Sequence, residues 1–198
     1  EYKTKKFFSD KACMIDAIQK KNKKLSKNLK VNIINECLNT KINNNFLINN
    51  ASINSKDIKK NNIFFGIKGK NIDGNKFADE ALKKKASICI LEKNYSKKNP
   101  RKIFVKDTLK TFSNLSCIIR KSLGTPIVAI TGSAGKTSLK ELIGQSLNTL
   151  VPTSYSKKSF NNQYGVPLSL FNIDMKHKIG VFEIGMDKKG EILSLIHI

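Results

Sequence analysis

Residues 127–142 read "IVAITGSAGKTSLKEL". Gly132, Ser133, Ala134, Gly135, Lys136, Thr137 and Ser138 are the residue types of a phosphate-binding loop. Glycines let a backbone approach phosphate oxygens closely, and a helix start offers unpaired N–H groups with partial positive charge. Lys136 can reach the β- and γ-phosphates of ATP, and the Thr137 hydroxyl can ligate the Mg2+ that bridges them. The usual pattern, G-x-x-x-x-G-K-[ST], would place a glycine at position 130, where the chain has Ile130. An ordinary strand–turn–helix with glycine caps is the competing account, and Gly-Lys-Thr directly after a buried strand disfavours it.

The elements around the loop must hold it open. "PIVAIT" reads as a near-continuous apolar strand of the kind buried on both faces. A helix is expected after the loop, with Leu139, Leu142, Ile143, Leu147 and Leu150 on its inner side. Then come "VPTSY", an Asn-rich loop, a short helix through Leu168 and Leu170, and the strand "IGVFEIG". Upstream, "FLINNASI", "NNIFFGIKG", "SICIL" (87–91) and "KIFV" (102–105) read as strands. Asp73-Gly74 is a turn, and Phe77, Ala78, Ala81 and Leu82 make one apolar helix face. Asp107 or Thr108 caps a helix carrying Leu109, Phe112, Leu115 and Ile119. Gly124-Thr-Pro126 ends it and marks a domain boundary. Residues 31–45 hold a short helix (Val31, Ile34, Leu38), residues 21–30 a solvated linker, and Asp10 to Lys20 another short helix. Alternating strands and helices predict an α/β fold with parallel strands and right-handed crossovers.

The chain has 198 residues and a net charge of +22, which by itself suggests nucleic acid or an anionic membrane. Arg101 and Arg120 are the only arginines, and the lysines are spread along the chain. Nucleic-acid surfaces favour the bidentate fork of arginine, so that partner is not expected. Cys13, Cys37, Cys89 and Cys117 form no C-x-x-C pair and read as reduced, mostly buried thiols of a cytoplasmic protein. No apolar run reaches transmembrane length, so no membrane insertion is expected.

The loop T-G-[ST]-x-G-K-T-[ST] resembles that of the Mur ligase superfamily, whose glycine pair is three residues apart; Ile130 then simply belongs to the strand. "FNNQYGVPLSL" (160–170) and "FEIGMDKKGEI" (182–192) resemble segments of its MurF-type members, the UDP-N-acetylmuramoyl-tripeptide–D-alanyl-D-alanine ligases. "ASINSKDIKKNNIFFGIKGKNIDGNKFADEA" resembles their N-terminal domain. Folylpolyglutamate synthases and MurE-type ligases are the neighbouring alternatives within this superfamily. A kinase or a basic nucleic-acid-binding protein with an incidental loop are the alternatives outside it.

The resemblance implies a small N-terminal α/β domain (46–124) that binds a UDP substrate, then the start of a P-loop central domain (125–192) with a mainly parallel sheet. It implies ATP and Mg2+ as cofactors, with UDP-N-acetylmuramoyl-tripeptide and D-alanyl-D-alanine as substrates. Lys136 would be catalytic, and Thr137 and Glu183 would hold the metal. A strand-end glutamate is also commonly just solvated. Ser55, Lys56, Lys68, Gly69, Asn161 and Asn162 match positions that would hold the UDP substrate; turn chemistry is the alternative for the two asparagines. Asn54, Lys56 and Asn75 depart from the family's Asp, Arg and His, and Asp187-Lys188 from its Asn-His. Lysine in place of arginine keeps the charge and loses the planar fork.

The family's carbamylated lysine and third domain fall outside these residues, so the chain alone is expected to be inactive, and a monomer. Residues 27–45 read as linker and start of the ligase-like region. "YKTKKFFSDK" within residues 1–26 resembles the tail of a MurE-type ligase, which points to a fusion. "LSLIHI" (193–198) reads as a translated sequencing adapter, and Glu1 rather than Met opens the chain; both ends are expected to be cut.

Overall fold

The computed structural model describes residues 29–43, 46–95, 99–156 and 159–185. The helix expected over Asp10 to Lys20, the ligase-like tail (1–26), Cys13, Asp187, Lys188 and residues 193–198 lie outside them.

Helix α1 (Leu29–Leu38) begins inside the stretch expected to be solvated linker. Leu29, Val31, Ile33 and Ile34 are buried in the main core, so burial fixes this helix despite its lysine-rich approach. Strands β1 (Ala51–Ser52), β2 (Ile63–Phe65), β3 (Ile88–Leu91) and β4 (Lys102–Phe104) form one parallel sheet in that order. The strand expected at "FLINNASI" shortens to its two pairing residues, Ala51 opposite Ile63 and Ser52 opposite Phe64. Helix α2 (Ala78–Lys83) buries Ala78, Ala81 and Leu82 on this sheet, while Phe77 stays at the rim. Helix α3 (Thr108–Leu123) is capped by Asp107, whose side chain accepts from the Lys110 N–H, and stops at Gly124 with φ 64°.

The second sheet contains β5 (Ile127–Ile130), β6 (Thr153–Tyr155) and β7 (Ile179–Glu183), all parallel, in the order β5-β7-β6. Helices α4 (Lys136–Asn148) and α5 (Gly165–Phe171) connect them. Two expectations fail here. Strand β5 is not buried on both faces: among the described residues it is a sheet edge, and Val128 and Ala129 are exposed. Helix α4 does not turn its leucines inward either. Leu139 and Leu142 are exposed, Leu142 at 64%, and Leu150 lies beyond the helix at 79%. The buried stripe runs through Lys140 and Gly144, with Ile143 and Leu147 half-buried beside it. The Tyr155 ring of β6 sits so close to Gly144 that a Cβ there would lie 2.5 Å from it.

Helix α5 packs into the core of the first sheet through Leu168 and Phe171. Phe65 of β2, Phe112 of α3 and Phe171 of α5 form an aromatic cluster, with Phe65–Phe112 centroids 4.3 Å apart and Phe65–Phe171 edge-to-face at 5.7 Å. Next to it, Asn172 treats the edge of β1 as a partner strand. Its Oδ1 accepts from the Ala51 N–H (2.6 Å) and its Nδ2 donates to the Ala51 carbonyl (3.4 Å).

Candidate functional site

Strand register builds the site. Ile130, the last residue of β5, pairs with Glu183, the last residue of β7. The chain leaves β5 into an exposed turn, with Gly132 at φ 154° and Gly135 at φ 75°, conformations that favour glycine. Gly135 is the residue before α4, and the helical ladder starts with the Leu139 N–H on the Gly135 carbonyl at 2.9 Å. The N–H groups of Lys136, Thr137 and Ser138 precede that ladder. No side-chain cap and no acidic residue occupies the first turn, which leaves the helix start open to an anion. Ser133 and Ala134 are exposed at the tip, and Ser138 is exposed on the helix.

The Lys136 ammonium arches over this turn and donates to the carbonyls of Gly132 (2.6 Å) and Ser133 (3.4 Å). It therefore lies within the loop rather than in bulk solvent. The Thr137 hydroxyl donates to Glu183 Oε2 at 2.8 Å, and Glu183 is fully buried. Its other oxygen, Oε1, is buried and has no hydrogen-bond partner among the described residues. A buried carboxylate with one orphaned oxygen is costly by itself and suits a hard cation. Among the described residues no cluster of three or more His, Cys, Asp or Glu exists to hold a metal. A single carboxylate with a hydroxyl is the donor set of a Mg2+ that takes its other ligands from phosphates and water.

The asparagine segment is joined to this machinery. The Asn161 carbonyl accepts from the Gly185 N–H at 2.7 Å, two residues past Glu183. Asn162 Oδ1 accepts from the Tyr164 and Gly165 N–H groups, both at 3.0 Å, and so starts α5. Turn chemistry is thus what the Asn162 oxygen does. Two contributors were missed from the sequence. The Ser159 hydroxyl lies 3.1 Å from Thr137 Oγ1. Lys140, fully buried one turn after Lys136, donates to the Ser156 carbonyl and pairs with Glu141 Oε1 at 3.0 Å. Its one legible signal was the Lys140–Gly144 spacing on a helix otherwise rich in leucine.

The residues matched to the UDP part lie at the carboxyl ends of β1 and β2, the end of a parallel sheet where ligands bind. Ser55 is buried, and its hydroxyl donates to Glu80 Oε2 at 2.9 Å, holding that carboxyl below its ordinary value, with Lys84 contributing next. Lys56 and Lys68 are exposed, and the Lys68 backbone makes an isolated antiparallel β-bridge with Asp73. The Gly69 N–H closes a tight turn onto the Ile72 carbonyl at 2.9 Å. Asn75 does local work: its Oδ1 accepts from the Glu92 N–H (2.7 Å) and its Nδ2 donates to Asp73 Oδ1 (2.6 Å). That buried double latch ties the loop after β2 to the end of β3.

Of the three described cysteines only Cys89 is buried, and burial pushes its thiol up to about 12. No helix among the described residues is long and apolar enough to cross a membrane.

Residues 47–120 match the family described as the Mur ligase family, catalytic domain, and residues 130–197 match the Mur ligase middle domain. A UDP-N-acetylmuramoyl-tripeptide–D-alanyl-D-alanine ligase of Buchnera aphidicola from Acyrthosiphon pisum is 36% identical over 146 residues, covering 74% of this chain and 32% of that protein. A MurF crystal structure from Acinetobacter baumannii has a TM-score of 0.71 at 25% identity, covering 83% of this chain and 37% of that one. The MurF ligase of Thermotoga maritima, solved in complex with ADP, has a TM-score of 0.62 at 30% identity over 74% of this chain and 34% of that one. The chain spans about a third of the length of the curated relatives it matches. Two Mur ligase domains in sequence, the open phosphate loop and the MurF relatives together show that the chain belongs to the Mur ligase family, as a MurF-type member.

Proposed function

We propose that these residues serve an ATP-dependent ligase that joins D-alanyl-D-alanine to a UDP-N-acetylmuramoyl-tripeptide through an acyl phosphate. One observation carries the reading: Thr137 meets the buried Glu183 at the mouth of an open helix start. The ligase names of the relatives supply the substrates.

The N–H groups of the first turn of α4 and the Lys136 ammonium hold the phosphates, and Lys136 exchanges its loop carbonyls for phosphate oxygens. Thr137 and Glu183 would hold Mg2+, which would supply positive charge to offset the negative charge developing on the phosphate. The peptide carboxylate attacks the γ-phosphorus, the bond to the bridging oxygen breaks, and ADP leaves. The amine of D-alanyl-D-alanine then attacks the acyl carbon and loses a proton. The carbon–oxygen bond to phosphate breaks and inorganic phosphate departs. Ser55, Lys56, Lys68 and Gly69 would seat the UDP part at the carboxyl end of the first sheet, with Asn161 and Asn162 on the sugar–peptide part. The reading places the protein in the cytoplasm as a monomer with no nucleic-acid partner.

The test is calorimetric titration of the 198-residue chain with ATP. Saturable, Mg2+-dependent binding that Lys136→Ala abolishes supports the ligase. An affinity for DNA that falls steeply with salt and survives Lys136→Ala, with no ATP binding, sinks it. Ligation of the two substrates is then measured on the full-length protein.

A further inference from the structure

Strand β1 is two residues long and lies at an edge of its sheet, where Ala51 pairs with Ile63 and Ser52 with Phe64. So short an edge strand has little of its own to hold it in place. Among the described residues its other side meets no strand; it meets Asn172, 121 residues further along the chain. The carboxamide accepts from the Ala51 N–H at 2.6 Å and donates to the Ala51 carbonyl at 3.4 Å. Asn172 is itself fixed: it follows α5 directly, and its N–H donates to the Leu168 carbonyl at 3.2 Å.

What β1 carries makes that grip more than an edge cap. The Ser52 hydroxyl donates to the Asn54 carbonyl (2.8 Å) and accepts from the Asn54 N–H (3.1 Å). Asn54 Oδ1 accepts in turn from the Lys56 N–H at 3.0 Å and starts the single 3-10 turn Ser55–Asp57. A continuous run of backbone and hydrogen bonds thus leads from Asn172 to Ser55 and Lys56. The far end of α5 lies at the other site. There Asn162 Oδ1 accepts from the Gly165 N–H, and the Gly185 N–H, two residues past Glu183, donates to the Asn161 carbonyl. Helix α5 is a strut of seven residues, about 10 Å, between the two ends.

We propose that Asn172 is a positioning residue: by gripping β1 from the end of α5 it sets Ser55 and Lys56 in place relative to the Thr137–Glu183 end, and so governs how well a uridine diphosphate is held. The proposal rests on the reading of Ser55 and Lys56 as part of the UDP seat and adds to it the side chain that holds that seat.

Calorimetry and hydrogen–deuterium exchange on the 198-residue chain test it, with UDP and Mg·ATP as separate probes. In Asn172→Ala the Kd for UDP is expected to rise about tenfold, while that for Mg·ATP stays within about twofold of the wild type. Without ligand, the amides of Lys56, Asp57 and Ile58, which close the turn, should exchange about fivefold faster in Asn172→Ala. Ser52→Ala cuts the same run one step later, so it should weaken UDP too, and the double variant should bind UDP about as well as either single one. Unchanged UDP affinity in Asn172→Ala, or unchanged exchange of those three amides, overturns the proposal. So does an equal loss of UDP and Mg·ATP binding, the mark of a contact that only holds the fold, and so does full additivity in the double variant. Absence of UDP binding by the wild type instead overturns the reading of the UDP seat, and the three amides still decide whether Asn172 holds the turn.

Discussion

Asn172 lies against Ala51 so that one carboxamide makes both hydrogen bonds that a neighbouring strand would make to the edge of β1. Ala51 is buried, so its backbone groups have no ready replacement in water. Asn172→Ala is expected to cost about 1–3 kcal/mol of folding stability, the penalty for unsatisfied buried groups. Thermal or urea unfolding reads it. A variant as stable as the wild type would mean that water reaches the β1 edge.

Glu183→Gln separates two effects of the buried carboxylate. The amide keeps the size and can still accept from Thr137, but it removes a charge whose Oε1 has no hydrogen-bond partner among the described residues. Without metal, stability is expected to rise by about 1 kcal/mol. The Mg2+ dependence of ATP affinity should fall by about tenfold or more. Unfolding curves and calorimetry with and without Mg2+ check both. A variant that keeps the full Mg2+ response would remove Glu183 from the metal site.

Gly144→Ala probes the packing of the helix that starts at the loop. The new Cβ would meet the root of the Tyr155 ring at 2.5 Å, where the side chain cannot swing away cheaply. Alanine gains helix propensity over glycine, about 1 kcal/mol. Overpacking costs about 1–3 kcal/mol, so net destabilisation is expected. Gly144→Ala combined with Tyr155→Leu should recover stability in the same unfolding assay.

Lys30 gives a pH dependence with a definite sign. Its ammonium donates to the Asn49 carbonyl and lies 5.2 Å from the Phe171 ring centre. Desolvation pulls its pKa from 10.5 down to about 8, and Asp174 opposes the fall. Between those values the unfolded chain binds a proton that the folded chain has released, so this group adds stability as pH rises through 8. Below that pH both states are charged and the burial cost is felt in full. The stability difference between wild type and Lys30→Met should therefore shift toward the wild type from about pH 7 to about pH 10. His177, held below its ordinary pKa by burial and then by Lys176, titrates below that window. A flat difference in urea unfolding would show that the lysine is well hydrated.

The glycine turn between β5 and α4 was legible because a strand–turn–helix of this kind needs fixed residue types at fixed spacing. Gly132, Gly135, Lys136 and Thr137 leave little freedom, and Glu183 follows once β7 is placed beside β5. The inward side of α4 was not legible. Its leucines and its Lys140–Gly144 stripe both recur at helical spacing, and what decides between them is Tyr155 and the Ser156 carbonyl arriving from elsewhere. Ser159 escaped for the same reason, since its partner is 22 residues away in sequence. The burial of α1 was hidden by its lysine-rich surroundings, although Val31, Ile33 and Ile34 carried the signal.

The bare margin of β5 has a practical meaning for anyone handling this polypeptide in a tube. Among the described residues its outer edge has no partner strand and carries the exposed Val128, so it offers a seam along which copies can knit into sheets. Mutual repulsion from the charge of +22 holds them apart in dilute buffer. Added salt mutes that repulsion, so turbidity should grow with ionic strength.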